Sequence, residues 1–195
     1  HIVYATSNDD FFAKQGRYPI GAGTPFLWSK PGAIGSVDVM FVDEAAQMSL
    51  AFVLAISASA KSMVFLGDPR QLEQPTKGAH PEGVDLSALD YVLDGNKTIP
   101  EDRGLFLEET WRLHPTICSY TSEMFYESRL NAKTGLERQV IKSSSRFHGA
   151  GLRFFPVTHA GNQNTSPEEA DVVLEIVRDI IDSGTTWVDK DGAEK

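Results

Sequence analysis

An α/β fold built on parallel sheets is what the sequence predicts, and three observations predict it. Val37-Asp38-Val39-Met40-Phe41-Val42 is an apolar run of strand length. Residues 49–60 are Ala-rich, with apolar side chains at helical intervals. Ser62-Met63-Val64-Phe65-Leu66 is a second apolar run, closed by Gly67-Asp68-Pro69. Strand, helix, strand at this spacing is a βαβ unit, and a crossover of that length joins parallel strands. The second half of the chain reads as a further α/β unit that is incomplete at the chain end.

Taken in order, residues 2–6 (Ile-Val-Tyr-Ala-Thr) read as a short buried strand that stops at Ser7-Asn8-Asp9-Asp10. Residues 14–36 are rich in Gly and Pro and read as loop with one short helix, Phe26 and Trp28 tucking against the core. Residues 86–93 predict a short helix, and 94–104, with Gly95, Asn96, Pro100 and Gly104, predict a linker. Leu105-Phe106-Leu107 opens a new strand leading into Glu109-Thr110-Trp111-Arg112. Pro115 suits the first turn of a helix whose Ile117, Tyr120, Thr121, Met124 and Phe125 share one face. Residues 152–157 predict another strand, and Ser166-Pro167-Glu168-Glu169 is a capping box opening a helix to about Ile181. The two units are expected at 1–100 and 101–195. The chain opens on strand-like His1-Ile2-Val3 and closes on an acidic, Gly-containing loop, so an internal piece of a longer protein is expected.

Bulk properties bound the functions. With 195 residues, 41% hydrophobic and 23% charged, the chain can build a sizeable core. Its net charge of -9 weighs against a nucleic-acid surface spread over the whole molecule, although a local basic groove is compatible with it. Cys118 is the single cysteine, which excludes an internal disulfide and a cysteine metal site and fits a reducing, cytoplasmic setting. No apolar run approaches a membrane span and no signal peptide is visible, so no membrane partner is expected.

Three motifs carry chemistry. Val39-Met40-Phe41-Val42-Asp43-Glu44 delivers two carboxylates to the C-terminal edge of a parallel strand, where ligands bind in open α/β sheets. One carboxylate can hold Mg²⁺ through water, and its neighbour can orient and deprotonate a water; a solvated turn is the plain alternative. Phe65-Leu66-Gly67-Asp68-Pro69-Arg70-Gln71-Leu72 follows a buried strand with a stiffened sharp turn. Gln71 offers a neutral donor and acceptor suited to reading a terminal phosphate, or it is merely exposed. Glu109-Thr110-Trp111-Arg112-Leu113-His114-Pro115 presents an arginine just before a helix. Its guanidinium suits charge stabilisation on a transferring phosphoryl group, or a surface pair with Glu108 or Glu109.

In order and spacing, these motifs resemble those of superfamily 1 helicases. Asp43-Glu44-Ala45-Ala46-Gln47 resembles their Walker B motif, Gly67-Asp68-Pro69-Arg70-Gln71-Leu72 their third motif, and Trp111-Arg112-Leu113-His114-Pro115 their fourth. Ser122 through Leu130 also fits the Ser-x-x-Phe-Tyr-x-x-x-Leu pattern seen there. The resemblance runs from about Ile2 to Trp187. It is nearest to the branch holding the nonsense-mediated-decay RNA helicases, the nuclease-helicases of DNA replication and bacterial relatives fused to a RecB-like nuclease.

The resemblance implies RecA-like P-loop NTPase folds, incomplete at both ends. Residues 1–100 would be the C-terminal part of a first RecA-like domain, and 101–195 the N-terminal part of a second. It implies ATP and Mg²⁺ as cofactors, with Asp43 coordinating the metal through water and Glu44 as catalytic base. Gln71 would sense the γ-phosphate and Arg112 would reach it from the second domain. Single-stranded DNA or RNA would be the partner, moved 5′ to 3′, with a RecB-like nuclease as a candidate neighbour in the same parent chain. Thr6 would sit near the nucleic-acid path, and Lys77 and His80 could touch a phosphate backbone, although a solvated loop explains the last two equally.

The departures shape the expectation too. The Gly-x-x-x-x-Gly-Lys-[Ser/Thr] loop is not in the sequence, and Gly21-Ala22-Gly23-Thr24 lacks its lysine and helix. The late motifs, with their second arginine finger, are also missing. The chain alone is therefore expected to be inactive. A catalytically dead scaffold is disfavoured by the set Asp43, Glu44, Gln71 and Arg112, and a metabolic nucleotide enzyme has no use for these motifs. His114 and His148 show no metal-ligand spacing, and Cys118 falls near the apolar face of its helix.

Overall fold

Val37–Val42 (β1) and Ala60–Phe65 (β2) pair in parallel, with Val39 opposite Ser62 and Phe41 opposite Val64. Leu50–Ser57 (α3) is the crossover between them, so the βαβ unit forms as its periodicity predicts. The computed structural model describes residues 4–71 and 86–195, in two compact units, His1–Gly104 and Leu105–Lys195. Both are mixed assemblies of helices and short strands, compatible with the predicted α/β class.

Among the described residues of the first unit, the helices pack toward one face of the β1–β2 pair. Met40 and Val42 point to that face and are buried with Trp28, Ala33, Ala45 and Ile56. Ser49 opens α3 by accepting the Phe52 amide at 3.4 Å, and the helix is apolar nearly throughout, sinking Val53 and Ile56. The opposite face of the pair carries apolar side chains that are exposed. Val39, Phe41, Val64 and Leu66 stand exposed there, Phe41 at 65%. Parallel sheets ordinarily bury both faces, so this strip is apolar surface of an unusual kind.

Two expectations for this unit need correction. Tyr4-Ala5-Thr6 is not strand; Ser7 instead caps a helix, Asn8–Gln15 (α1), accepting the Asp10 amide at 3.1 Å. The polar run read as a stop is a cap with acidic residues in the first turn, where the helix dipole favours them. Phe11 of α1 meets Trp28 edge-on with centroids 5.5 Å apart. The Gly/Pro-rich stretch holds two short turns of helix, Pro25–Trp28 (α2) and a 3-10 turn Pro31–Ala33, each started by proline. Trp28 is buried as expected, whereas Phe26 lies exposed against Phe52. Ala88–Leu93 (α4) is capped by Ser87 and ends at Asp94, whose φ is 52°. Residues 72–85, with Leu72, Lys77 and His80, lie outside the described residues, as do Ile2 and Val3.

In the second unit Pro115–Phe125 (α5) and Pro167–Asp182 (α6) start where the prolines and caps place them. His114 caps α5 through Nδ1, which accepts the Thr116 amide at 3.2 Å, and Cys118 is buried at the helix's inner face. Ser166 caps α6 by accepting the Glu169 amide, while the Glu169 carboxylate turns to His159 at 3.2 Å and leaves the box half closed. The strands are shorter than the sequence suggests. Glu109–Thr110 (β3) pairs in parallel with Asn131–Ala132 (β4), and Val140–Lys142 (β5) pairs antiparallel with Thr186–Val188 (β6).

Leu105-Phe106-Leu107 and residues 152–157 are not strands, against expectation. A strand exists only where a neighbour accepts its hydrogen bonds, and none among the described residues runs beside either stretch. Leu105 is 90% exposed and Phe154 88%, so two apolar runs of strand composition lie on the surface. Among the described residues no helix is long and apolar enough to cross a membrane.

Candidate functional site

The chain turns sharply where β1 ends. Asp43 Oδ1 accepts the Glu44 amide at 3.0 Å, and Glu44 takes a left-handed conformation, φ 51° and ψ 42°. That region costs a non-glycine residue about 1–2 kcal/mol, so it persists only where surrounding contacts impose it. They do so here. A 3-10 turn, Ala45–Gln47, follows at once, with Ala45 and Ala46 buried. The Ala45 amide donates to Leu66 O at 2.8 Å, and the Leu66 amide donates to Val42 O at 2.8 Å. The turn after β1 is thereby stitched to the turn after β2.

Gly67 is what permits the close approach. Its φ is 153°, and a Cβ built there would lie 3.0 Å from the Ala45 nitrogen, 3.2 Å from Leu89 Cδ1 and 3.4 Å from the Ala46 nitrogen. Only glycine lets the second turn press so closely on the first. Asp68 then folds the next residues into a compact loop. Its Oδ1 accepts the Arg70 amide at 2.9 Å, and its carbonyl accepts the Gln71 amide at 3.2 Å. Two sequence motifs 23 residues apart, counting from Glu44 to Gly67, thus form one surface at the C-terminal edge of a parallel pair.

On that surface Asp43, Glu44 and Gln71 are exposed. Among the described residues neither carboxylate has an ion pair, and the Gln71 carboxamide makes no hydrogen bond. Nor, among those residues, do three or more His, Cys, Asp or Glu side chains gather into a metal-binding group. A hard cation at the acidic turn would therefore take few protein ligands and keep most of its coordination for water or another ligand. Thr6 is engaged locally: its amide and hydroxyl donate to Asp10 Oδ2 at 2.9 and 3.2 Å.

Arg112 belongs to the second unit, immediately after β3. Its backbone amide donates to Thr110 Oγ1 at 3.3 Å and its side chain is exposed. The two carboxylates that might have paired with it are directed elsewhere. Glu108 faces Arg129 at 3.7 Å and Glu109 faces Lys133 at 3.9 Å. The Lys133 ammonium also lies over the Trp111 ring. Among the described residues the Arg112 guanidinium has no ion pair, the condition needed if it is to receive an anionic ligand.

The Ser-x-x-Phe-Tyr stretch turns out to be architectural. Ser122 is buried near the end of α5. Its carbonyl accepts the amides of Tyr126 and Ser128 at 2.9 and 3.0 Å, and its Oγ accepts the Leu130 amide at 2.9 Å. One residue thereby reverses the chain through Glu127 and Ser128, both left-handed at φ 54° and 60°, and aims it into β4 beside β3. Ser122→Ala leaves the Leu130 amide without its acceptor, an expected loss of about 1–3 kcal/mol readable in a urea unfolding midpoint. A variant as stable as the parent would refute that role.

Motif reading missed Ser122's part and Arg70's. A serine followed by a helix end and a short strand was the available signal for the first. Arg70 gave none, because its contacts lie far along the chain.

The chain is similar to two curated proteins. It is 26% identical over 133 residues to the probable helicase MAGATAMA 3 of Arabidopsis thaliana, an alignment covering 67% of this chain and 16% of that protein. It is 28% identical over 158 residues to the 5'-3' DNA helicase ZGRF1 of Mus musculus, covering 75% of this chain and 8% of that protein. The chain thus spans only a small part of the length of the curated relatives it matches. No family model matches it.

Proposed function

We propose that this chain is part of an ATP-driven nucleic-acid helicase of superfamily 1, in which two incomplete RecA-like units supply the hydrolytic and sensing residues of an ATP site. The observation that carries the reading is the apposition of the Asp43-Glu44 turn and the Gly67–Gln71 turn, with Glu44 held left-handed between them. The similarity to two proteins named as helicases points the same way.

The exposed carboxylates fit a Mg²⁺ ion bound mainly through water, and Asp43 would hold it. When bound, Mg²⁺ neutralises charge on the β- and γ-phosphate oxygens. Glu44 would accept the proton of the attacking water, and Gln71 would hydrogen-bond to that water or to the terminal phosphate. Arg112 would meet charge developing on the phosphoryl group with a guanidinium that has no other ion pair among the described residues. The residues present fit this half of the site. The triphosphate cradle is not in this sequence, because no Gly-x-x-x-x-Gly-Lys-[Ser/Thr] loop occurs in it. Single-stranded DNA or RNA would be the track, travelled 5′ to 3′.

The test compares this chain with the full-length protein. The full-length protein is expected to hydrolyse ATP with stimulation by single-stranded nucleic acid, and the 195-residue chain alone to hydrolyse negligibly. Robust, strand-stimulated turnover by the chain alone, in a phosphate-release assay, would overturn the proposal.

A further inference from the structure

Arg70 lies inside the loop that presents Gln71, yet its side chain reaches away from the acidic turn. Its Nη2 donates to the carbonyls of Asn96 and Lys97, at 3.2 and 3.1 Å. Those residues belong to a strap, residues 94–104, that begins where α4 ends at left-handed Asp94 and closes the first unit at Gly104. The strap holds neither sheet nor helix; backbone turns, with the Arg103 and Gly104 amides donating to Pro100 O at 3.0 and 3.1 Å, and side chains order it. Asn96 Nδ2 donates to Leu93 O at 2.7 Å. Arg103 donates to Val92 O at 2.9 Å and pairs with Asp94 at 3.2 Å. Beyond Gly104 the chain passes into the second unit.

A continuous set of contacts therefore runs from the acidic turn to the strap. Ala45 is bonded to Leu66, Gly67 rests on Ala45 and Ala46, Asp68 holds the Arg70 amide, and the Arg70 guanidinium holds Asn96 and Lys97. The Gly67–Gln71 loop thus meets the strap directly through the Arg70 guanidinium, in addition to the approach of Gly67 to Leu89 of α4, the helix that leads into the strap. Both bonds come from one charged nitrogen, Nη2, and such directed donors hold two successive carbonyls where a contact made only through apolar packing could slide.

We propose that Arg70 is a positioning residue that couples the state of the Asp43-Glu44-Gln71 site to the segment joining the two units. The inference rests on the functional reading above and assigns to that site a route of communication. Among the described residues Arg70 makes no hydrogen bond or ion pair with Asp43, Glu44 or the Gln71 side chain, so its effect falls on stimulation and not on the hydrolytic step itself.

The experiment uses the full-length protein and its R70A and R70K forms, with ATP hydrolysis measured with and without a single-stranded oligonucleotide. R70A is expected to lose strand stimulation by roughly tenfold, within the 5–150-fold span of ordinary coupling energies, while basal turnover stays within about twofold. R70K, which keeps a charged nitrogen donor on a different stem, is expected to recover part of the stimulation. Hydrogen exchange supplies a readout independent of turnover. On adding Mg-ATP, amides of residues 94–104 should change protection in the parent protein and not in R70A. Basal and stimulated rates falling in parallel with a lowered melting temperature would show a merely structural role and overturn the proposal. So would an R70A protein that behaves as the parent does. A parent protein with no strand-stimulated hydrolysis would sink the underlying helicase reading, an outcome distinct from either of these.

Discussion

Glu44→Gln in the full-length protein is expected to lower ATP turnover by about 10²–10⁴-fold, the usual contribution of a positioned general base. Nucleotide affinity, followed with a fluorescent ATP analogue, should stay within about threefold, because the amide keeps the size of the side chain and loses only its basicity. The proposed role is the one motif order suggests, and the backbone at this position has its own constraint. Glu44 is the residue held left-handed between Asp43 and the buried Ala45-Ala46 turn, at a cost that a solvated turn could avoid by using glycine or asparagine. A Glu44→Gln protein that retains parental turnover would remove the residue from the chemistry and leave its conformation a feature of folding alone.

Gly67→Ala carries the largest expected effect on stability. The new methyl group would meet the Ala45 nitrogen at 3.0 Å, a backbone atom that cannot swing aside, in a conformation that side chains other than glycine rarely adopt. Backbone strain and overpacking each cost about 1–3 kcal/mol. A loss of 2 kcal/mol or more lowers the melting temperature of a unit this size by roughly 10 °C. The same substitution forces apart the Asp43-Glu44 and Gly67–Gln71 turns, so turnover in the full-length protein should fall alongside stability. Scanning calorimetry on the chain separates the two, since an unchanged melting temperature would mean that the turns do not need their close approach.

What the sequence disclosed follows the range of the forces involved. The βαβ unit, α5 and α6 were legible because apolar period, proline at the first turn and serine caps act within a few residues. The failures at 105–107 and 152–157 have a different origin. Their composition is that of strands, but pairing depends on a partner elsewhere, and composition cannot supply one. Helix α1 was hidden because Ser7-Asn8-Asp9-Asp10 reads equally as a stop and as a cap; only the packing of Phe11 on Trp28 decides between them. At the site, the residue types were legible and their conformations were not. Nothing in the letters says that Glu44 is left-handed. Nor do they say that Glu108 and Glu109, beside Arg112 in sequence, turn to Arg129 and Lys133 and leave it without an ion pair among the described residues.

The exposed apolar side chains on the second face of the β1–β2 pair have a consequence for handling the chain in solution. Val39, Phe41, Val64 and Leu66 form a strip of exposed apolar side chains, and among the described residues no further strand pairs with either edge. A net charge of -9 opposes encounters between copies at low ionic strength, and salt screens that repulsion over about 10 Å at 0.1 M. Colloidal behaviour is thus set by a contest between a short-ranged apolar attraction and a screened electrostatic repulsion, with added salt favouring the attraction. Dilute, low-salt buffers are expected to keep such a chain monodisperse, and light scattering across a salt series checks it.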